Sequence, residues 1–338
     1  MLFLSKNQVR GHIFEVIVRK LLQLNGFNLI NGTDNGELKG RGTKHQIDAY
    51  GQLRRSVSFL YPIRIICEAK FLKGRTGLPH VAKFLGSFKD ISENYYVDRT
   101  APDEILLKRY TDTAAMFSAN GFTSHAQDFA YAQGIFLISY QSNPLITPIL
   151  RAIESILEII DIDVASSNIF NFKQLIYDAL NDVSIIDAQT MFISPRYRAN
   201  EGENRHLFTN LKISLDKIKS PILGMASGKF PIHLLSEQNL SDQIFNSAEE
   251  ILCKISYKRN SNSCLIITLN EYPNTQIYFS IPRELARRYA NHMLDLKEQF
   301  FSYIDVPIER DGIERLIKFK LDTDWIESLR QEQQTGRS

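Results

Sequence analysis

Two neighbouring strand-like segments constrain the fold of this chain more than any other feature. Residues 45–53 (HQIDAYGQL) and 62–73 (PIRIICEAKFLK) are short apolar runs of period-two character bounded by Gly or Pro, which predicts two strands. The nearly continuous apolar run at 63–67 is typical of a strand buried on both faces. Because strand side chains alternate between faces, Glu68 and Lys70 must share one face. Charges in such a place require pairing or a metal ion.

A magnesium site would explain this arrangement. Carboxylates from Asp48 and Glu68, with the backbone carbonyl of Ala69, are the oxygen ligands that Mg²⁺ prefers. Lys70 would then help to orient or deprotonate a water molecule and stabilise phosphate charge, while the metal lowers the pKa of water. The alternative is a Glu–Lys ion pair at a strand end, with Asp48 in an ordinary turn. The acid-x-Lys triplet alone does not decide between them, because it is common by chance.

The segment before these strands predicts an amphipathic helix. Residues 11–27 (GHIFEVIVRKLLQLNGF) place apolar side chains at helical spacing, and Gly26 is a natural residue to follow the helix end. Glu15 lies off the centre of the apolar stripe. It is either a site residue or a solvated acid that the helix dipole favours in the first turn.

These motifs, taken in order, resemble the Mrr-type branch of the PD-(D/E)xK restriction-endonuclease superfamily. The resemblance rests on the GxxFE helix, QID at a strand end and CEAK on the next strand. Residues 114–140 (AAMFSANGFTSHAQDFAYAQGIFLISY) add a later strand, a Gly-Phe-Thr turn, a helix beginning near Ser124 and a closing strand. The similarity covers roughly residues 8–142. One departure is Ile47, which stands where the family usually has a proline.

The resemblance implies an α/β fold in which a mixed sheet is flanked by helices. It also implies metal-dependent hydrolysis of phosphodiester bonds in DNA, with Mg²⁺ as cofactor and Mn²⁺ as a substitute. The metal ligands carried over are Asp48, Glu68 and the Ala69 carbonyl, and Gln46 is a supporting polar group. The catalytic set carried over is Glu15, Asp48, Glu68 and Lys70.

The charge distribution is consistent with DNA as a partner. Residues 1–110 contain 18 Lys and Arg against 10 Asp and Glu, a net charge of +8, whereas the remainder has 22 against 28, or −6. A basic region releases counterions when it neutralises phosphates, although a solubilising surface would have the same composition. The candidate DNA contacts in loops around the site are Lys39, Arg41, Lys44, Arg54, Arg55, Lys73 and Arg75.

The cysteines and the apolar runs bear on the compartment. Three cysteines without a CxxC pair indicate neither a disulfide framework nor a zinc ribbon. The first apolar residues are too few for a signal peptide, and no apolar run approaches the roughly 18 residues of a membrane span. We therefore expect a cytoplasmic protein without membrane contact.

Asn143-Pro144 interrupts the pattern and predicts a boundary between a nuclease domain, 1–142, and an α+β domain, 143–338. In the second part, 265–282 predicts a hairpin, 314–322 a strand, and Ser241 the start of a helix to about Lys258. We expect this domain to provide specificity, regulation or homo-oligomer contacts.

The hypothesis is therefore a DNA endonuclease of restriction or anti-phage defence. The alternative is a non-catalytic DNA-binding or assembly module that retains the nuclease fold.

Overall fold

The chain forms two compact units, each of which combines segments that are distant in sequence. The first unit is Met1–Leu137 with Pro148–Ser214, and the second is Ile138–Thr147 with Leu215–Ser338. The computed structural model describes residues 4–28, 36–54, 61–93, 96–97, 107–108, 110–182, 189–198, 207–228, 230–257, 263–282, 297–298 and 300–335.

The first unit contains a five-stranded sheet in the order β1-β4-β5-β8-β9. Strands β4 and β5 are antiparallel, as β1 and β4 are, whereas β5 and β8 are parallel. The predicted mixed sheet and the two predicted acidic strands are therefore confirmed. Two smaller hairpins are β2-β3 and β6-β7. The strands are β1 Phe27–Asn28, β2 Glu37–Lys39, β3 Lys44–Gln46, β4 Ala49–Leu53, β5 Ile63–Lys70, β6 Tyr96–Val97, β7 Leu107–Lys108, β8 Thr111–Ser118 and β9 Phe136–Ser139.

Three helices flank this sheet: α1 Lys6–Leu24, α2 Leu78–Ser92 and α3 Ser124–Ala132. A capping box of Ser5 and Gln8 starts α1, five residues before the predicted start. Gly26, with φ of +80°, follows its end as predicted. Helix α3 begins at Ser124 as predicted, and Thr123 is its N-cap, because the Thr123 side chain accepts a hydrogen bond from the N–H of Ala126.

Further helices follow the sheet: α4 Ile146–Ile159, α5 Ile162–Ser167, α6 Ile169–Leu180, α7 Pro195–Arg198 and α8 Thr209–Asp216. Both α5 and α6 pack against α1. The compact units therefore differ from the predicted division at residues 142 and 143, since residues 148–214 lie with the nuclease-like sheet. The assignment of separate roles to 1–142 and 143–338 stays a prediction.

The second unit contains a closed barrel in the order β10-β11-β14-β13-β12-β16-β15. Buried apolar side chains from these strands, among them Ile255, Ile267 and Phe319, form one core cluster. The predicted hairpin at 265–282 is confirmed by the antiparallel pair β13-β14, and the predicted strand at 314–322 by β16. The elements are β10 Ser220–Ala226, β11 Pro231–Ser236, α9 Leu240–Ile244, β12 Glu250–Tyr257, β13 Cys264–Leu269, β14 Gln276–Ser280, β15 Tyr303–Arg310, β16 Ile313–Leu321 and α10 Thr323–Thr335.

The helix predicted from Ser241 to about Lys258 is wrong. Helix α9 ends at Ile244, and residues 250–257 form a barrel strand. The side chains of that strand alternate between buried and exposed, which is the period-two pattern of a sheet with one face on a core. Within the described ranges, no helix is both long and apolar enough to cross a membrane.

Candidate active site at the end of β5

Asp48 lies at the bend between β3 and β4, where three contacts hold it. Its Oδ2 accepts hydrogen bonds from the N–H of Ala69 at 2.9 Å and from Lys70 Nζ at 3.2 Å. The Nε of Arg19, on α1, donates to the Asp48 backbone carbonyl at 2.8 Å. The carboxylate therefore points at the end of β5, and α1 fixes the bend that carries it.

Glu68 and Lys70 face the same region from β5, as strand alternation predicts. Lys70 Nζ lies 2.5 Å from Glu68 Oε1. Because Ala49 pairs with Cys67, continuing the antiparallel register by one residue places Asp48 opposite Glu68. The ion pair of the alternative interpretation is present, but it includes Asp48, which that interpretation left in an ordinary turn.

Asp48 and Glu68 are two largely buried carboxylates that share Lys70 as a partner. Burial and the negative charges of Glu15 and Glu68 raise the pKa of Asp48 from 3.8 to about 7. Burial disfavours the charged form of Lys70, but Asp48 and Glu68 outweigh it and raise the pKa of this lysine. Lys70 therefore remains a cation that compensates two carboxylates.

Glu15 is buried rather than solvated, with only 7% of its surface exposed. Its Oε2 lies 2.7 Å from the Nζ of Lys173 on α6. Its Oε1 lies 2.9 Å from Nδ1 of His12, although that geometry is not a regular hydrogen bond. Burial raises the pKa of Glu15, but the contacts with His12 and Lys173 outweigh it and lower the pKa to about 2. The interpretation of Glu15 as a solvated first-turn acid is therefore wrong.

The donor set fits magnesium better than a metal held entirely by protein. In the part of the chain that the structure describes, no group of three or more His, Cys, Asp and Glu side chains is arranged to hold a metal ion. Mg²⁺ commonly uses one or two carboxylates and keeps several waters. Asp48 and Glu68 provide that number. Because the pKa of Asp48 is raised, a cation bound beside it would stabilise its charged form.

Most of the other predicted site residues that the structure describes lie at the surface. Gln46 is exposed at the end of β3. Arg41 and Lys44 form long surface ion pairs, at 4.0 Å with Glu93 and 3.4 Å with Glu37. Such pairs are weak. Arg55 lies outside the described residues. Of the remaining candidates for DNA contacts, one is half-buried, Arg75, and three are exposed, Lys39, Arg54 and Lys73.

Asp90, which sequence reasoning missed, holds the basic loop that leads to Asp48. Its carboxylate accepts hydrogen bonds from the N–H of Gly42 and Thr43 and lies 2.7 Å from Nε2 of His45. A Cβ at Gly40 would lie 2.0 Å from Asp90 Oδ2, so the approach requires glycine there. Gly40 and Gly42, which are two positions apart in the sequence, were the available signal.

Sequence reasoning also missed three more residues of the site, because none of them belongs to a recognised motif. Arg19 stands one helical turn after Glu15, a spacing that places both on one face of α1. His80, at the start of α2, lies close enough to Lys70 and Glu68 for their charges to act on its pKa. Lys173 is 158 residues from Glu15, and no local pattern predicts that contact.

A family model matches the N-terminal part of the chain. Residues 7–142 match the Mrr_cat family model, which is described as a restriction endonuclease, and the predicted resemblance of the N-terminal part is confirmed. No curated protein matches the chain. One similar crystal structure is described as a protein of unknown function, AF1548. It is 15% identical, with a TM-score of 0.29, and the match covers 57% of this chain and 97% of that one.

Proposed function

We propose that the first unit is a Mg²⁺-dependent endonuclease that hydrolyses phosphodiester bonds in DNA. The observation that carries this proposal is the convergence of Asp48, Glu68 and Lys70 at one strand end, inside the segment that matches the restriction-endonuclease family. The three residue types are those that such hydrolysis needs: two oxygen donors for a hard cation and one cation beside them.

Each residue has a distinct task in this proposal. Asp48, Glu68 and the Ala69 carbonyl would hold Mg²⁺, which supplies charge that stabilises developing oxyanions and lowers the pKa of water. Lys70 Nζ, released from its two carboxylates, would orient the attacking water and stabilise the phosphate. Glu15 would contribute negative charge near Asp48, whose pKa its charge already raises.

DNA is the proposed substrate because a basic loop precedes Asp48 in the chain. The Asp90-anchored loop presents Lys39, Arg41 and Lys44 at the surface immediately before Asp48 in the chain. Phosphate contacts of this kind supply affinity without sequence selectivity. We assign selection of DNA, control of activity or homo-oligomer assembly to the remainder of the chain, in a restriction or defence role.

The test is cleavage of modified and unmodified DNA duplexes with Mg²⁺, with Mn²⁺ and with a chelator. Glu68→Gln should abolish cleavage and Lys70→Met should strongly reduce its rate, whereas Asp128→Asn, which changes an exposed carboxylate on α3, should leave it unchanged. Binding without hydrolysis on every duplex would favour the alternative, a non-catalytic DNA-binding or assembly module. Cleavage that survives the chelator would contradict the metal-dependent mechanism.

A further inference from the structure

Glu15, on α1, has its cationic partner outside the segment that matches the nuclease family. Lys173 Nζ lies 2.7 Å from Glu15 Oε2, and the matched segment ends at residue 142. Only 5% of Lys173 and 7% of Glu15 are exposed. This is a buried ion pair, and each member would be a costly isolated charge without the other.

A line of polar contacts between α1 and α6 fixes the position of this pair. Tyr177 and Asn181 follow Lys173 at four-residue intervals and therefore lie on the same side of α6. The Tyr177 hydroxyl accepts a hydrogen bond from Gln23 Nε2 at 3.1 Å, and Asn181 Oδ1 accepts one from Lys20 Nζ at 2.6 Å. Helix α6 therefore presents Lys173 to Glu15 at a defined place along α1.

Glu15 in turn acts on one of the proposed metal ligands, Asp48. Its negative charge is one of the causes that raise the pKa of Asp48. Arg19, one turn further along α1, holds the backbone of Asp48 at 2.8 Å. Glu15 therefore lies on the same face of α1 as the residue that holds the Asp48 backbone, and its charge acts on the Asp48 carboxyl group.

His12 and Lys173 together keep Glu15 charged. Burial by itself favours the protonated form of Glu15, and the contacts with His12 and Lys173 reverse this preference. Without the lysine, Glu15 would keep only the contact with His12, and the weaker compensation of a buried charge favours proton uptake by the carboxyl group or its movement towards solvent. Either change removes negative charge from the neighbourhood of Asp48.

We propose that Lys173 is a positioning residue of the nuclease site, which holds the ionised Glu15 carboxylate in place beside Asp48. The inference rests on the proposed function. It makes helix α6, outside the matched segment, a part of the catalytic unit. Lys173 is buried and its role is on Glu15, so it does not serve as a phosphate contact.

The experiment compares Lys173→Met with Lys173→Arg in the full chain. Lys20→Met is the matched control, because it removes another lysine contact between the same two helices without touching Glu15. Mg²⁺ binding to the DNA-free protein is measured by calorimetry, and single-turnover cleavage at saturating Mg²⁺ is measured separately. Changing a group that supports a metal ligand typically weakens metal affinity or activity roughly 10- to 100-fold. We expect that loss in Lys173→Met, partial recovery in Lys173→Arg, and near-parental values in Lys20→Met.

A double-substitution cycle with Glu15→Gln separates positioning from general packing. In the Glu15→Gln background, Lys173→Met should cause no further loss of Mg²⁺ affinity, since its target is already neutral. DNA affinity measured without metal should be the same in all variants. Additive losses, or Mg²⁺ binding in Lys173→Met that equals or exceeds the Lys20→Met control, would overturn this inference alone. Absence of Mg²⁺ binding and of cleavage in the parent protein would overturn the proposed function as well.

Discussion

The charge of Asp48 leads to a prediction about the stability of the metal-free protein, and its test does not require an activity assay. Burial and the charges of Glu15 and Glu68 raise the pKa of Asp48 from 3.8 to about 7. The folded chain therefore binds a proton at this carboxyl more tightly than the unfolded chain does. The stability that this proton contributes is fully present below pH 3.8 and is lost as the pH rises through about 7.

The magnitude follows from the two pKa values. Each pKa unit corresponds to about 1.4 kcal/mol, so the difference between 3.8 and about 7 is worth on the order of 4 kcal/mol at most. Asparagine keeps the shape of the protonated acid and can still accept the Ala69 hydrogen bond. We expect metal-free Asp48→Asn to exceed the parent in stability above pH 7, by up to that amount, and to show a flatter pH dependence.

Saturating Mg²⁺ should make the parent more stable than Asp48→Asn, which reverses the order expected without metal. A ligand at about 100 times its Kd stabilises the folded state by about 2.7 kcal/mol. The parent should gain this stability, because two carboxylates can hold the ion. Asp48→Asn should gain little, since it retains Glu68 as the one charged ligand of the proposed pair.

The assay is denaturant unfolding on both sides of pH 7, with a chelator and then with Mg²⁺. Far-UV circular dichroism follows both units, whereas fluorescence of Trp325, the only tryptophan in the sequence, follows the second unit. The fluorescence transition therefore reports the second unit, whereas Asp48 belongs to the first. A parent whose stability does not change across pH 7, or an Asp48→Asn variant that Mg²⁺ stabilises as much as the parent, would refute the reasoning.

Three further predictions concern other parts of the chain. Lys70→Met should retain or strengthen Mg²⁺ binding but lower the single-turnover cleavage rate roughly 10²- to 10⁴-fold; an unchanged rate would contradict its role. Burial lowers the pKa of His233, in the second unit, from 6.5 to about 3, so that unit should lose stability as the pH falls through this interval. Trp325 fluorescence should report this loss, and His233→Gln should reduce it. In light scattering, a fragment of residues 1–142 should aggregate because it lacks the helices that cover α1, whereas 1–214 should not; equal behaviour would argue against that packing.

Local sequence was sufficient for the centre of the candidate site. Alternation along β5 places Glu68 and Lys70 on one face, and a short antiparallel connection brings Asp48 opposite Glu68. Gly26 marks the end of α1 because its positive φ suits a residue without a side chain. These features depend on residues that are neighbours in the chain, so their spacing carries the information.

Hydrophobic periodicity was less informative in segments whose composition suits either a helix or a strand. Residues 250–257 follow a plausible helix start, yet they form a barrel strand. A short apolar segment fits either structure, and its partners decide between them. Here the partners are β13 and β16, and β16 lies far along the chain.

The sequence by itself determined the order of the nuclease elements and the cluster at the end of β5. Only the tertiary structure decided that α6 packs against α1, that Lys173 pairs with Glu15, and that the compact unit continues past residue 142. The reason is physical. The spacing of apolar residues along a strand or helix indicates which face will be buried, because the direction of each side chain depends on backbone geometry. It does not indicate which distant segment will cover that face, because apolar burial is non-directional and many segments could do so.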